Sequence, residues 1–158
     1  MSQKEMIKSL IEYHVEMSGR VWDAIEQITE EQFLADDTYS RGSIRNLIVH
    51  LASTDRRWLS GLKNMPDVGH LNFEDYTTKE ATAKIFPDAI KSLANYVIWL
   101  SEEELNQNAN GIPNPRWVIL VHLVNHGTDH RATVLQRLHE FGAPTFDQDF
   151  ITWLWSKQ

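Results

Sequence analysis

Residues 117–138 read WVILVHLVNHGTDHRATVLQRL, and the spacing within this run decides the fold class. Leu120, Leu123, Val124, Val134, Leu135 and Leu138, continued by Phe141, recur at three- and four-residue steps, the period of an amphipathic helix. Pro115 suits a first turn, and Gly142 with Pro144 beyond it marks the stop, so the spacing predicts a helix from about Pro115 to Phe141. His122, His126 and His130 fall at successive four-residue steps on it, and side chains four apart share one face. On the helical wheel His130 lies about 60° from the centre of the apolar arc, His126 about 100° and His122 about 140°. His126 and His130 are therefore the pair best placed to face an interhelical cleft.

A second run, IRNLIVHLASTDRRWL at residues 44–59, repeats the pattern with Ile44, Leu47, Ile48, Leu51, Trp58 and Leu62 on the apolar side and His50 at its margin. Ser43 is its N-cap, and the helix is expected to reach Lys63. Outward from these two, Met6, Leu10, Tyr13, Met17, Val21, Ala24 and Ile28 predict a first helix over Ser2–Ile28. Thr29 opens a short extra turn, and Asp36–Gly42 is a polar connection. A third helix fits Lys79–Leu100, with Pro87 as the point where it should break into a short and a longer piece. Asn64–Thr77 and the Asn-rich Asn106–Pro115 read as loops, and FDQDFITWLW as a short helix folding back on the rest. No strand-like alternation or repeat occurs. The reading is an all-α four-helix bundle with short extra helices, in one domain spanning 1–158.

Composition bounds the function. A chain of 158 residues with 42% hydrophobic residues and six Trp can bury its own core. No apolar run approaches the roughly 18 residues needed to span a bilayer, and the charged start MSQKEMIKSLIEYH is not a signal peptide, so a cytoplasmic home is expected. The net charge of −7 argues against a nucleic-acid coat. With no Cys, the chain has neither a thiolate ligand nor a nucleophilic thiol of its own.

A His on an amphipathic helix is usually a surface or boundary residue, and His14, His70 and His139 are read so. A single i, i+4 pair leaves that reading and a metal reading both open. A His in matching context on a second helix tilts the balance to metal, since imidazole is the commonest nitrogen ligand for transition ions. Arg131 points toward the apolar arc, so it needs a carboxylate partner or lines the cleft. Asp55 falls on the apolar face of its helix, where an unpaired carboxylate is costly. It is expected to pair with Arg131, a His or the shell of the metal. Both are candidates for a catalytic role.

With these residues in place the chain resembles the DinB superfamily of bacterial metal-binding helical bundles. The resemblance is strongest in SIRNLIVHLASTDRRWL, PRWVILVHLVNHGTDHRATVLQRLHEFGAP and DQDFITWLW. The family's pattern falls here on His50, Asp55 and Trp58, on His122, His126, His130 and Arg131, and on Gly142 and Asp149. The resemblance implies metal ligation by His50, His126 and His130, the same pair that the wheel selects plus the His of the second helix. The chain departs from the family after Arg131, with Ala132 and then Thr133 where a Gln or similar residue is usual. The resemblance also implies an up-down-down-up bundle, often a homodimer, with a divalent ion such as nickel, zinc or iron.

Similar proteins include thiol-dependent transferases and a mycothiol-dependent isomerase. The expected function is accordingly a metal-dependent transferase that uses a low-molecular-weight thiol on a small electrophile. The alternatives are a metal-dependent hydrolase, or a non-catalytic dimeric bundle that holds a metal or ligand. Three neutral ligands favour an open coordination position over a closed structural site.

Overall fold

The structure is a computed structural model and describes residues 1–157. Most helix starts are written in the sequence as caps. Ser2 accepts from the Glu5 N–H at the head of α1 (Gln3–Ile25), and Glu5 returns a bond to the Ser2 N–H. Thr29 and Gln32 make the same reciprocal pair for α2 (Glu30–Leu34), and Ser43 caps α3 (Ile44–Leu62) through the Asn46 N–H. Each such cap satisfies a donor that would otherwise be orphaned and is worth about 1 kcal/mol.

The expected third helix does break near Pro87. Its first piece is α4 (Lys79–Ala83) and its second is α5 (Phe86–Trp99), with Pro87 in the first turn of α5 where no backbone N–H is needed. Then come α6 (Glu102–Asn106), capped by Ser101, and α7 (Arg116–Glu140). The chain ends in α8 (Phe150–Trp155), whose N-cap Asp149 accepts from the Ile151 and Thr152 N–H groups. No helix among the described residues is long and apolar enough to cross a membrane.

Two apolar clusters give the direction of each long helix. One gathers Val21 and Ile25, Ile44 and Leu47, Phe86 and Ile90, and Val134 and Leu138. The other gathers Ile7 and Ile11, Leu59 and Leu62, Leu93 and Val97, and Leu120 and Leu123. So α1 and α7 run one way while α3 and α5 run the other, an up-down-down-up bundle. Helix α1 packs on α5 and α7, and α3 packs on the same two. Because α3 and α5 are parallel neighbours, the chain between them must return the length of the bundle, about 28 Å for a helix the size of α3. That explains the long Lys63–Thr78 connection, which carries only a short 3₁₀ turn at Phe73–Asp75 before α4.

The buried residues of α1 are Ile7, Ile11, Tyr13, His14, Met17, Ser18, Val21, Ala24 and Ile25, with Ile28 buried just beyond its end. Of the stripe read off the sequence, Tyr13, Met17, Val21, Ala24 and Ile28 are buried, Leu10 is half-buried and Met6 is 45% exposed, so the buried face is wider than that stripe and reaches past it to Ile7, Ile11, His14 and Ser18. His14 and Ser18 are the polar residues of this face. They belong to a buried polar layer that separates the two apolar clusters.

Candidate metal centre

His50 projects from α3, and His126 and His130 from α7, into the groove between these antiparallel helices. One ligand atom from each of the three lies within 4.8 Å of the others. His50 Nε2 and His126 Nε2 are 3.0 Å apart. Nitrogens bound about 2.1 Å from one ion stand roughly 3 Å from each other, so the spacing fits a shared ion. The rings pack edge-on, with centroids 5.0 Å apart for His50–His126, 4.8 Å for His50–His130 and 4.5 Å for His126–His130. His122 lies outside this set; its ring continues the row beside His126 and meets the Trp58 ring at 5.7 Å.

The environment keeps the three imidazoles neutral, the form that binds metal. Burial pushes His50 down to about 3, helped by the positive charge of Arg41 and by the other two His. Burial likewise lowers His126 to about 4, opposed by the negative charge of Asp55. His130 is lowered by burial too, with Asp129 opposing and Arg41 assisting.

Behind the groove lies the polar layer. Arg131 is fully buried. Its Nη1 donates to His14 Nδ1 at 2.9 Å and to Ser18 Oγ at 3.3 Å, its Nη2 to Thr128 Oγ1 at 3.1 Å and its Nε to Gln148 Oε1 at 3.2 Å. Since Nδ1 of neutral His14 accepts, its Nε2 carries the proton and faces Asp55 Oδ2 at 3.4 Å. Neutral His14 thus bridges the buried cation to the buried carboxylate. Arg131 neither lines the cleft nor pairs directly with a carboxylate, and Asp55, 1% exposed, lies behind the ligands rather than beside the open face.

Two buried atoms here have no hydrogen-bond partner among the described residues: Asp55 Oδ1, an acceptor, and His126 Nδ1, which carries a proton whenever Nε2 is the ligand atom. They are complementary orphans, and the field of Asp55 reaches His126. A metal-bound His ordinarily donates its second N–H to a carboxylate or carbonyl, which fixes its tautomer and strengthens it as a ligand. The donor set and this orphan pair fit a divalent ion.

The sequence reading missed His14 and Gly127. His14 was expected at the surface and is 1% exposed. Gly127 makes room for it: a Cβ there would stand 2.4 Å from His14 Cε1 and 2.8 Å from Arg131 Nη1. A glycine in the middle of a long helix, which costs about 1 kcal/mol against Ala, was the available signal. His70 and His139 are exposed, as expected.

A cavity of about 740 Å³ opens over the three imidazoles. Its walls include Met65, Asp67 and His70 from one long loop and Gly111 and Ile112 from the other. Another cavity of about 500 Å³, between α3 and α5, has no His in its lining.

The chain matches the sequence profile of the DinB family over residues 1–158. It is similar to the protein DinB of Bacillus subtilis (strain 168), with 21% identity over 157 residues that cover 92% of this chain and 91% of that protein.

Proposed function

The chain belongs to the DinB family, and on that premise we propose that it is a metal-dependent transferase which joins a low-molecular-weight thiol to a small electrophile. The observation that carries this reading is the ligand set itself. Three neutral His converge on one point, and a cavity of about 740 Å³ opens on their free side. His50, His126 and His130 would hold a divalent nickel, zinc or iron ion, whose positive charge would lower the pKa of a bound thiol.

The chain's own residues prepare the rest. Burial of the imidazoles keeps protons from competing for the ligand nitrogens. Asp55, which faces His14 through Oδ2, has its negative charge felt at His126 and keeps Oδ1 without a partner among the described residues, so it is the carboxylate available to position His126 once Nε2 is committed to the ion. The chain brings no Cys to the site, so the sulfur comes from a cosubstrate. In the transfer, the thiol's proton passes to solvent at the open mouth, a sulfur–carbon bond forms, and the bond from that carbon to its leaving group breaks.

The test combines metal titration with turnover. Wild-type protein is expected to bind about one ion per chain, and His50→Ala, His126→Ala or His130→Ala to weaken binding at least a hundredfold, while His122→Ala has a far smaller effect. Loaded protein, given glutathione or bacillithiol with monochlorobimane, should form the bimane thioether and release chloride. Metal-dependent ester or amide hydrolysis without thiol transfer would replace this reading with a hydrolase.

A further inference from the structure

The cavity has two chemically different ends, and their order can be read along the groove. Arg41 lies just before α3, His50 within its first half, and Trp58 two turns further on. On antiparallel α7, His130 and His126 stand beside His50, and His122 beside Trp58. The sequence along the groove is therefore Arg41, the three imidazoles, then Trp58 with His122 and the neighbouring Arg57–Asp67 pair, with Ile112 at the far end.

At the first end the charge is unpaired. The cavity lining contains Arg41, Arg57 and one carboxylate, Asp67. Arg57 grips Asp67 with both arms of its fork, Nε to Oδ1 at 2.9 Å and Nη2 to Oδ2 at 2.7 Å, and also contacts His70. That carboxylate is therefore spent, and its acid form is suppressed by the Arg57 fork and the Gly69 N–H. The Arg41 guanidinium has no hydrogen bond or ion pair among the described residues, although its backbone is fixed. Its carbonyl accepts from Asn46 Nδ2 at 2.8 Å, and it sits between two left-handed residues, Ser40 at φ 57° and Gly42 at φ 86°. At Gly42 a Cβ would stand 2.3 Å from Asp36 Oδ1, so the turn requires glycine. Non-glycine residues held left-handed cost about 1–3 kcal/mol and cluster where function over-determines the backbone. Arg41, with Asn46, Ser53 and His70, also lines a side pocket of about 400 Å³ next to His50. There is room there for a group that reaches past the ion.

We propose that Arg41 is the anchor for a carboxylate on the thiol cosubstrate, so that the site selects thiols bearing an anionic arm. The inference rests on the thiol-transferase reading for the identity of the ligand, but not for its charge. An Arg fork matches a carboxylate bidentately. An ion with three neutral ligands would add its charge to that of Arg41, and the one carboxylate in the described lining, Asp67, is held by Arg57.

The experiment uses the cobalt(II)-loaded full chain, in which a bound thiolate gives a sulfur-to-cobalt charge-transfer band. The band is titrated with 3-mercaptopropionate and with its neutral isostere 3-mercaptopropionamide. Wild type is expected to bind the carboxylate at least roughly tenfold more tightly. Arg41→Gln should bring the ratio of the two affinities close to one, and Arg41→Lys should restore part of it. Using a ratio removes any general loss of thiol affinity, and equal melting curves show that each variant is folded. A ratio unchanged in Arg41→Gln, or near one in wild type, overturns the anchor while leaving thiol binding intact. If neither thiol gives a band, the thiol reading fails on its own. Propionate against propionamide, followed by paramagnetic broadening of ligand resonances, then decides the anchor: an Arg41-dependent preference sustains it and no preference ends it.

Discussion

His14 and His126 are the same residue type, both within the influence of Asp55, and they have opposite fates. His14 is 1% exposed, and both its ring nitrogens face protein partners, Arg131 on one side and Asp55 on the other. His126 is half-buried, its Nε2 faces another imidazole, and its Nδ1 has no partner among the described residues. A histidine whose two nitrogens are both satisfied by protein has nothing left to offer a ligand. One whose nitrogens are poised but unsatisfied is paying a cost that only an additional group recovers. The difference between the two histidines lies in which nitrogens have partners rather than in burial alone.

The largest expected effect breaks the structural side. Arg131→Ala removes a buried guanidinium and leaves His14, Ser18, Thr128 and Gln148 without their donor, and should lower unfolding free energy by about 3–5 kcal/mol in urea melts. A change under about 1 kcal/mol would mean that the polar layer is solvated. The next effect sharpens the link between the two histidines. Asp55→Asn keeps the shape but removes the charge offered to His126, and should weaken metal binding roughly 10–100-fold by competition with a chelator. If affinity is unchanged while stability falls, Asp55 serves the His14–Arg131 side alone.

The smallest effect concerns pH. Folding lowers His50 to about 3 and His126 to about 4, whereas unfolded His titrates near 6.5. The unfolded chain thus binds more protons between these values, so stability rises with pH across that window. The melting temperature of metal-free protein should be full above about pH 6.5 and fall as the pH drops toward 4. His50→Ala should flatten part of that slope; a slope indifferent to the substitution would place the titration elsewhere.

The predicted helices and caps were legible because they depend on neighbours in sequence. Ser43, Ser101 and Pro87 act within one turn of their own positions. The meeting of His50, His126 and His130 was legible for a related reason: a four-residue step fixes His126 and His130 on one face, and a marginal position on α3 brings out His50. The polar part of the buried face of α1 was not, because the partner of His14 and Ser18, Arg131, lies more than a hundred residues away.

The sequence by itself determined an all-helical chain, its capped ends and the face that His50, His126 and His130 occupy, all consequences of local geometry with a period of 3.6 residues. Only the tertiary structure decided which polar side chains meet. Packing α1 against α7 buries Arg131 on His14, and packing α3 against α7 brings His50 to within 3.0 Å of His126. Pairing energies of buried charges and orphaned nitrogens depend on distances across helices, and no pattern along one helix contains them.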